Sequence, residues 1–199
     1  MVLPIIKQTK ELFIRNSREF NLLFGLITFC LALTTIRIVA KDRITYIFLV
    51  WNLILAIIPY LIGLIFSMKF KLGRAQKVLL FGMWLVFFPN APYILTDLFH
   101  LRFKTTAPIW FDTVLISAYA WTGLTLAFLS LEKMKSALLV GRGFIIRTIL
   151  TAAFLFMTAF GIYVGRYLRW NSWDLVTSPA MVGEDLFSRI ISPFDHPRT

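Results

Sequence analysis

Five long apolar segments, separated by short and mostly basic connections, constrain the fold of this chain more than any other feature of its sequence. An α-helix needs about 20 apolar residues to cross the hydrocarbon core of a bilayer, and each segment is close to that length. Of the 199 residues, 58% are hydrophobic and 16% are charged, an apolar share above that of soluble domains. The sequence therefore predicts an all-α, polytopic transmembrane bundle of about five spans in a single integral membrane domain. The predicted spans are residues 22–39, 44–68, 78–98, 111–131 and 144–167.

The segments outside the spans predict two amphipathic helices at the membrane surface. Residues 1–20 are too long and too charged for the start of a cleavable signal, and their apolar side chains share one face, which is typical of an interfacial helix. Residues 21–168 then form the transmembrane bundle, and residues 169–199 form an extracytoplasmic tail. In that tail, Ser178 followed by Pro179 is a typical helix start. Apolar side chains recur at helical spacing after it, at Val182, Leu186, Phe187, Ile190 and Ile191.

The distribution of basic residues predicts how the bundle is oriented. The net charge is +11, and the basic residues lie between apolar segments, which indicates contact with anionic membrane lipids rather than with nucleic acid. Connections rich in Lys and Arg are cytoplasmic by the positive-inside rule. We therefore expect a multi-pass protein of the plasma (inner) membrane with a cytoplasmic N-terminus. The cytoplasmic clusters are Lys7, Lys10, Arg15 and Arg18, then Lys69, Lys71, Arg74 and Lys77, then Lys133, Lys135, Arg142 and Arg147; the opposite side has Arg37, Lys41 and Arg43 and later only Arg102 and Lys104.

The third span is interrupted by the stretch FFPNAPYILTDLFHL at residues 87–101. Pro89 and Pro92 cannot donate backbone hydrogen bonds, so they free carbonyl groups in the outer half of the span. Such carbonyls cannot face lipid and need a partner or a wet cavity. Asn90 lies in this stretch, and Asn52 of the second span lies at the same depth, about 12 Å below the outer boundary. The pattern predicts a pocket wall in which both amides help to satisfy the broken helix.

Further polar residues gather at the outer ends of the spans, and we expect them to converge in one outward-facing pocket. Carboxylate and imidazole groups are typical acids, bases and metal ligands, and arginines hold anionic head groups. The candidate catalytic residues are Asp97, His100, Asp112 and Asp174. The candidate substrate-binding residues are Asn52, Asn90, Tyr93, Arg166, Arg169, Asn171 and Trp173.

Simpler interpretations compete with these assignments. Trp and Tyr at span ends are common interfacial anchors, and arginines at the same level often extend to lipid phosphates. Asn52 is suited to a hydrogen bond between helices. Asp97 and His100 fit an exposed polar turn equally well. The pair Gly161 and Gly165 is typical of close helix packing, without any chemistry.

No motif in the sequence assigns a reaction. The Cys and His spacings of zinc sites, H-E-x-x-H, a glycine-rich phosphate loop and G-x-S-x-G are all missing from it. No acidic residue lies at the middle of a span, where ion-coupled transporters usually place one. Cys30 is the single cysteine, so no internal disulfide forms. The sequence therefore specifies no cofactor, no metal and no oligomeric state.

Four motifs together resemble a known family. They are WNLILAIIP at residues 51–59, the proline-containing stretch at 87–101, WFD at 110–112 and GRYLRWNSWD at 165–174. In this order they resemble a prokaryotic integral-membrane family known as domain of unknown function 1361, from the second span onward. The resemblance implies a small multi-spanning plasma-membrane protein, and it supplies no catalytic residues.

Two classes of function remain open at this point. The first is a membrane enzyme that acts on a lipid-linked or envelope substrate with an anionic group. The second is a non-catalytic membrane protein, such as an assembly subunit, a lipid-binding protein or a small permease component. A bound divalent metal would favour the enzyme, and a stoichiometric partner would favour the subunit.

Overall fold

The computed structural model describes residues 13–41, 44–68, 72–102, 108–170, 172 and 174–191. The helices in this part of the chain are α1 (Ser17–Lys41), α2 (Ile47–Ser67), α3 (Arg74–Phe87), α4 (Asn90–Tyr93), a 3₁₀ helix (Ile94–Arg102), α5 (Ile109–Leu138), α6 (Phe144–Tyr167), α7 (Asp174–Thr177) and α8 (Pro179–Ile191).

The described helices confirm the prediction of an all-α transmembrane bundle. Within the described ranges, five helical segments are long and apolar enough to cross a membrane, and no strand is present. α1 begins at Ser17, five residues before the predicted span. The last residues of the predicted interfacial helix therefore belong to α1. The rest of that interfacial helix, residues 1–12, lies outside the described part of the chain. The tail helix α8 begins at Pro179 after Ser178, as predicted.

α5 is the central helix and packs against α1, α2, α4 and the 3₁₀ helix. Its buried face carries small residues that allow close approach. A Cβ atom at Gly123 would lie 2.5 Å from the carbonyl oxygen of Ala91. The indole of Trp84 is fully buried and donates a hydrogen bond of 2.8 Å to the Ser130 hydroxyl. Small residues at such contacts are typical of membrane helices, whose association depends on packing and hydrogen bonds.

Polar contacts join α1 and α5 at successive levels along their antiparallel interface. At one end, which we call the Lys133 end, Lys133 Nζ lies 2.7 Å from a carboxylate oxygen of Glu19. Fifteen residues further along α1, the Thr34 and Tyr119 hydroxyls are 2.8 Å apart. At the other end, which we call the Asp97 end, a further ion pair closes the interface. Hydrogen bonds between membrane helices fix their register because an apolar surface alone does not.

The third span changes from an α-helix to a 3₁₀ helix at the prolines, between Phe87 and Ile94, and we call this segment the winding change. α3 ends at Phe87, and Phe88 and Pro89 both retain right-handed helical dihedrals. The amide of Tyr93 donates to the Pro89 carbonyl at 3.0 Å, and the chain then tightens into the 3₁₀ helix. Pro89 therefore ends the regular α-helix, as predicted, without opening a gap in the span.

α6 lies at the edge of the bundle and is largely exposed. It approaches the third span through two glycines. A Cβ atom at Gly161 would lie 2.5 Å from Pro89 Cγ, and one at Gly165 would lie 3.2 Å from the Tyr93 ring. The interpretation of this glycine pair as a close-packing element is confirmed. The contact places α6 beside the winding change, where a cavity lies.

Candidate functional site

A cavity of about 390 Å³ lies between α2, α6 and the winding change of the third span. α2 contributes Asn52 to its wall, and the third span contributes Asn90, Tyr93 and Asp97. α6 contributes Arg166. The residues that line the cavity are Phe48, Asn52, Leu55, Leu85, Val86, Pro89, Asn90, Tyr93, Asp97, Met157, Phe160, Gly161, Val164, Gly165, Arg166, Trp170, Ser172, Val182 and Leu186.

Asp97 is the buried acidic group of the cavity wall, with only 1% of its surface exposed. The Asn52 amide Nδ2 donates to Asp97 Oδ2 at 2.9 Å. This bond joins α2 to the 3₁₀ helix and holds one carboxylate oxygen in a fixed position. Buried carboxylates are costly unless they are hydrogen-bonded. The 3₁₀ winding thus presents a carboxylate to the cavity instead of to solvent.

Asn90 and Ser172 satisfy two carbonyls in the last turn of α3, just before Pro89. Its Nδ2 donates to the Phe87 carbonyl at 3.0 Å and to the Ser172 hydroxyl at 2.9 Å. The Ser172 hydroxyl in turn donates to the Val86 carbonyl at 3.2 Å. The Asn90 amide thus bonds to a carbonyl of the interrupted span, as expected, with Ser172 as a partner that the sequence did not reveal; a role of Asn90 in substrate binding stays a prediction. Asn52, by contrast, bonds to Asp97, so the two asparagines belong to separate hydrogen-bond groups.

The tail that follows α6 folds back over the cavity at the Asp97 end of the bundle. The chain turns at Arg169, which has a left-handed φ of 60°. Trp170 Nε1 then donates to Asp185 Oδ2 of α8 at 2.8 Å. This bond holds α8 in place. The α8 side chains Val182 and Leu186 line the cavity. The amphipathic face predicted for α8 is thus divided, because Phe187 and Ile191 are exposed.

The model of one protein family matches residues 51–197, and its description is "Protein of unknown function (DUF1361)". This chain belongs to the DUF1361 family. The match covers α2 from Trp51 onward and every later element that lines the cavity, and all four motifs of the resemblance fall within it. Comparisons of this DUF1361 chain with curated proteins and with solved structures gave no significant match.

The DUF1361 structure brings some of the predicted site residues together. Asn52, Asn90, Tyr93, Asp97 and Arg166 all line the cavity. Arg166 also stacks its guanidinium over the Phe99 ring, with 5.5 Å between Cζ and the ring centroid. The sequence missed the cavity roles of Trp170, Ser172 and α8. Trp170 donates a hydrogen bond to Asp185, on the polar face of the predicted tail helix. This bond distinguishes Trp170 from an ordinary interfacial anchor.

Asp112 lies elsewhere in this DUF1361 fold, away from the cavity wall. Its carboxylate oxygen Oδ1 accepts from Arg37 Nε at 2.7 Å, and the two side chains are 1% and 2% exposed. The Arg37 guanidinium also lies 4.5 Å from the ring centroid of Tyr46. We expected Arg37 to be a connection charge, whereas it closes the α1–α5 interface at the Asp97 end.

The remaining predicted site residues do not enlarge the site. Arg169 forms the turn before the tail, and Asp174 begins α7; neither lines the cavity. Asn171, Trp173 and the side chain of His100 lie outside the described part of the chain. Among described residues, no group of three His, Cys, Asp or Glu side chains is placed to hold a metal ion. Of the ionisable residues that we expected to converge, Asp97 and Arg166 are the described ones that line the cavity, whereas Asp112, Arg169 and Asp174 do not.

Proposed function

We propose that this DUF1361 protein binds a lipid-like ligand with an anionic head group in the cavity beside the proline stretch. One observation carries the proposal. The cavity is lined by the polar side chains of Asn52, Asp97 and Arg166, and also by apolar side chains that lie further from the Asp97 end on the same spans, those of Leu55, Leu85 and Met157. A ligand with a polar head and an apolar chain contacts both sets of side chains, whereas a wholly polar solute leaves the apolar set uncovered.

Arg166 is the candidate group for an anionic head. A guanidinium presents several donors in a fixed plane, and it binds phosphate and carboxylate groups through paired hydrogen bonds. A cation–π contact with the Phe99 ring keeps the Arg166 guanidinium beside the cavity. Asp97 and Tyr93 offer hydrogen bonds to hydroxyl groups of the same head. This combination suits a phosphate-bearing head with hydroxyls.

The proposal also includes an orientation. Basic residues at the Lys133 end include Lys133, Lys135, Arg142 and Arg147. The positive-inside rule assigns that end to the cytoplasm. The Asp97 end then faces outward from the plasma membrane of a prokaryote, and the cavity is extracytoplasmic. The N-terminus, which precedes α1 at the Lys133 end, is cytoplasmic in this arrangement.

Lipid retention tests the proposal directly. The protein is purified in mild detergent, and native mass spectrometry measures the phospholipid that stays bound. Arg166→Gln removes the guanidinium, and we expect the fraction of protein with bound anionic lipid to fall roughly tenfold. Arg147→Gln is the matched control, because Arg147 is exposed on the same helix at the Lys133 end. Equal retention by both variants and the wild type would refute the proposal.

A second candidate function, an enzyme acting on that lipid-linked or envelope substrate, is favoured by Asp97. Its carboxylate is held by Asn52 and lines the cavity together with Tyr93, as an acid/base group requires.

Asp97→Asn is nearly isosteric and removes the ionisable group. Normal lipid retention and abundance, together with failure to complement a deletion strain, would support chemistry at Asp97. Full complementation by Asp97→Asn would leave a non-catalytic lipid-binding protein, and a stoichiometric co-purifying protein would favour an assembly subunit.

A further inference from the structure

We infer that the lipid in the cavity is a membrane-resident phosphate lipid with a small head group, whose chain leaves the cavity sideways through the gap between α2 and α6. This inference rests on the proposed function and specifies the ligand's class and position. The head reaches Asp97 and Arg166, and the chain remains in the bilayer. Three features of the cavity support it: a covered top, an open side and a limited volume.

The top of the cavity is covered by the tail. Val182 of α8 is 1% exposed and lines the cavity, so it lies between the cavity and the surroundings. Leu186 lies beside it on the same helix. The hydrogen bond from Trp170 to Asp185 fixes the position of α8 over the cavity. The tail helix therefore leaves no exit through the top for the apolar chain of a bound lipid.

The side of the cavity is open between α2 and α6. Met157 and Phe160 of α6 line the cavity and are nevertheless 47% and 44% exposed. On α2, Phe48 and Asn52 line the opposite wall and are only partly buried. Side chains that face both a cavity and the outside mark the edge of an opening.

The arrangement of α6 explains why this opening exists. At one level, Phe154 of α6 packs against Phe81 and Trp84, with ring centroids 5.9 and 5.7 Å apart. At another level, Gly161 approaches Pro89. Both contacts hold α6 against the third span and away from α2. The space beside α2 is therefore left for another apolar group.

The opening lies at a depth where lipid chains are present. Met157 precedes the end of α6 at Tyr167 by ten residues, or about 15 Å along a helix. That is roughly halfway through a hydrocarbon core of about 30 Å. Three of the four side chains at the edge of the opening, Phe48, Met157 and Phe160, are apolar, and an acyl or prenyl chain covers such surfaces without leaving the bilayer. Water at this depth is disfavoured.

The volume limits the size of the head group. Pockets that enclose drug-sized ligands range over about 300–1,000 Å³, and this cavity, at about 390 Å³, is near the lower limit. It accommodates a phosphate with a glycerol-sized substituent and the first part of a chain. A head that carries several sugars exceeds it. Phosphatidylglycerol is a suitable probe for this class.

Photo-cross-linking tests the position of the chain. The protein is reconstituted in phosphatidylcholine nanodiscs that contain phosphatidylglycerol with a diazirine in its acyl chain, and cross-linked residues are mapped by mass spectrometry. We expect cross-links at Leu55, Met157 and Phe160 that are lost in Arg166→Gln. Cross-links at Phe156, which is 75% exposed on the same helix, report surrounding lipid and should not change. Arg166-dependent cross-links confined to Val182 and Leu186, or to Phe156, would overturn the inference.

A pair of matched variants tests the gap itself. Met157→Trp fills the opening, and Phe156→Trp adds the same bulk to the outer surface. We expect Met157→Trp to lower phosphatidylglycerol retention about tenfold, while water-soluble glycerol phosphate still raises the melting temperature in detergent. Phe156→Trp should behave as the wild type. Unchanged lipid retention in Met157→Trp contradicts the inference, and if that variant loses both ligands the cross-linking map of the wild type decides.

The same experiments separate failure of this inference from failure of the proposed function. If wild-type protein retains no phosphatidylglycerol and glycerol phosphate has no effect, the proposed function fails together with the inference. If glycerol phosphate binds and the lipid does not, the site takes a free phosphate ligand, and only the inference fails. If the lipid binds but its chain cross-links only beneath α8, the proposed function stands and the path through the α2–α6 gap is wrong.

Discussion

The pair Arg37 and Asp112 shows why depth in the membrane is a poor guide to which residues meet. Asp97 and Asp112 both lie at the Asp97 end, and each is 1% exposed. Asp97 lines the cavity, whereas Asp112 forms an ion pair with Arg37 in the interface between α1 and α5. A buried ion pair of this kind stabilises little relative to apolar packing but is costly to break on one side only.

The first prediction concerns this ion pair. Asp112→Asn leaves a charged Arg37 buried without its counter-ion, so we expect the free energy of unfolding to fall by about 3–5 kcal/mol. Denaturant titration in detergent, followed by tryptophan fluorescence, measures the loss. The double variant Arg37→Leu/Asp112→Leu should recover most of it, because neither charge remains. A stable Asp112→Asn protein that fails to complement a deletion strain would instead restore Asp112 as a functional residue.

The second prediction concerns the contact between α6 and Pro89. An added Cβ atom at Gly161 would lie within 2.5 Å of the proline ring. Gly161→Ala should therefore destabilise the protein by about 1–3 kcal/mol, as overpacking generally does. Gly82→Ala is the control, since nothing lies within 4 Å of the Cβ position at Gly82 of α3. Equal melting temperatures for the two variants would show that α6 is not held by this contact.

At the scale of elements, the winding change of the third span has a local cause and a distant consequence. The prolines remove backbone donors, and just before Pro89 the side chains of Asn90 and Ser172 donate to two carbonyls of α3. The 3₁₀ helix that follows turns Asp97 towards Asn52 of α2. Pro89, in the same segment, packs against Gly161 of α6. One interruption thus provides a carbonyl partner, a carboxylate and a helix contact for the cavity.

The third prediction concerns the coupling of these groups. Asn52→Leu and Asp97→Leu should be coupled in a double-mutant cycle, because the two side chains share a hydrogen bond of 2.9 Å that either change removes. Hydrogen bonds between membrane helices contribute about 0.6–2 kcal/mol. Asn52→Leu and Asn90→Leu should be additive within about 0.5 kcal/mol, because their bonds belong to separate groups. Coupling between the asparagines as large as that between Asn52 and Asp97 would contradict this assignment.

At the scale of the whole molecule, α1 is tied to α5 by polar contacts, and α6 is the least buried of the five spans. Polar contacts join α1 to α5 from Lys133 at one end to Arg37 at the other. α6 has its principal packing contact with α4 and keeps much of its surface exposed. This unequal packing leaves the cavity at the edge of the bundle rather than in its centre. The proposed lipid reaches an edge cavity directly from the bilayer.

The fourth prediction concerns orientation of the whole bundle. Cysteines introduced at Ile44 and Arg142 lie at opposite ends, and both positions are exposed. If the N-terminus is cytoplasmic, an impermeant thiol reagent added to intact cells labels Ile44→Cys but not Arg142→Cys until the membrane is permeabilised. The native Cys30 is fully buried and gives little background. The reverse pattern would place the cavity on the cytoplasmic side.

The sequence by itself determined the spans, the interruption at the prolines and the start of the tail helix. These features depend on local properties, namely hydropathy over a bilayer-length window, missing backbone donors and helix-capping chemistry. The bond from Asn90 to the interrupted span followed for the same reason, because the partner carbonyl at Phe87 is three residues away in the chain.

Only the tertiary structure decided which polar residues share the cavity. Depth along a span follows from residue number, but the direction in which a side chain points depends on the rotation of each helix against its neighbours. That rotation is set by contacts between distant residues, such as Gly123 with Ala91, Gly161 with Pro89 and Arg37 with Asp112. Packing of this kind is cooperative and leaves no periodic signal in a single sequence. Asp97 and Arg166 therefore meet at the cavity, while Asp112, at the same end of the bundle, closes a different interface.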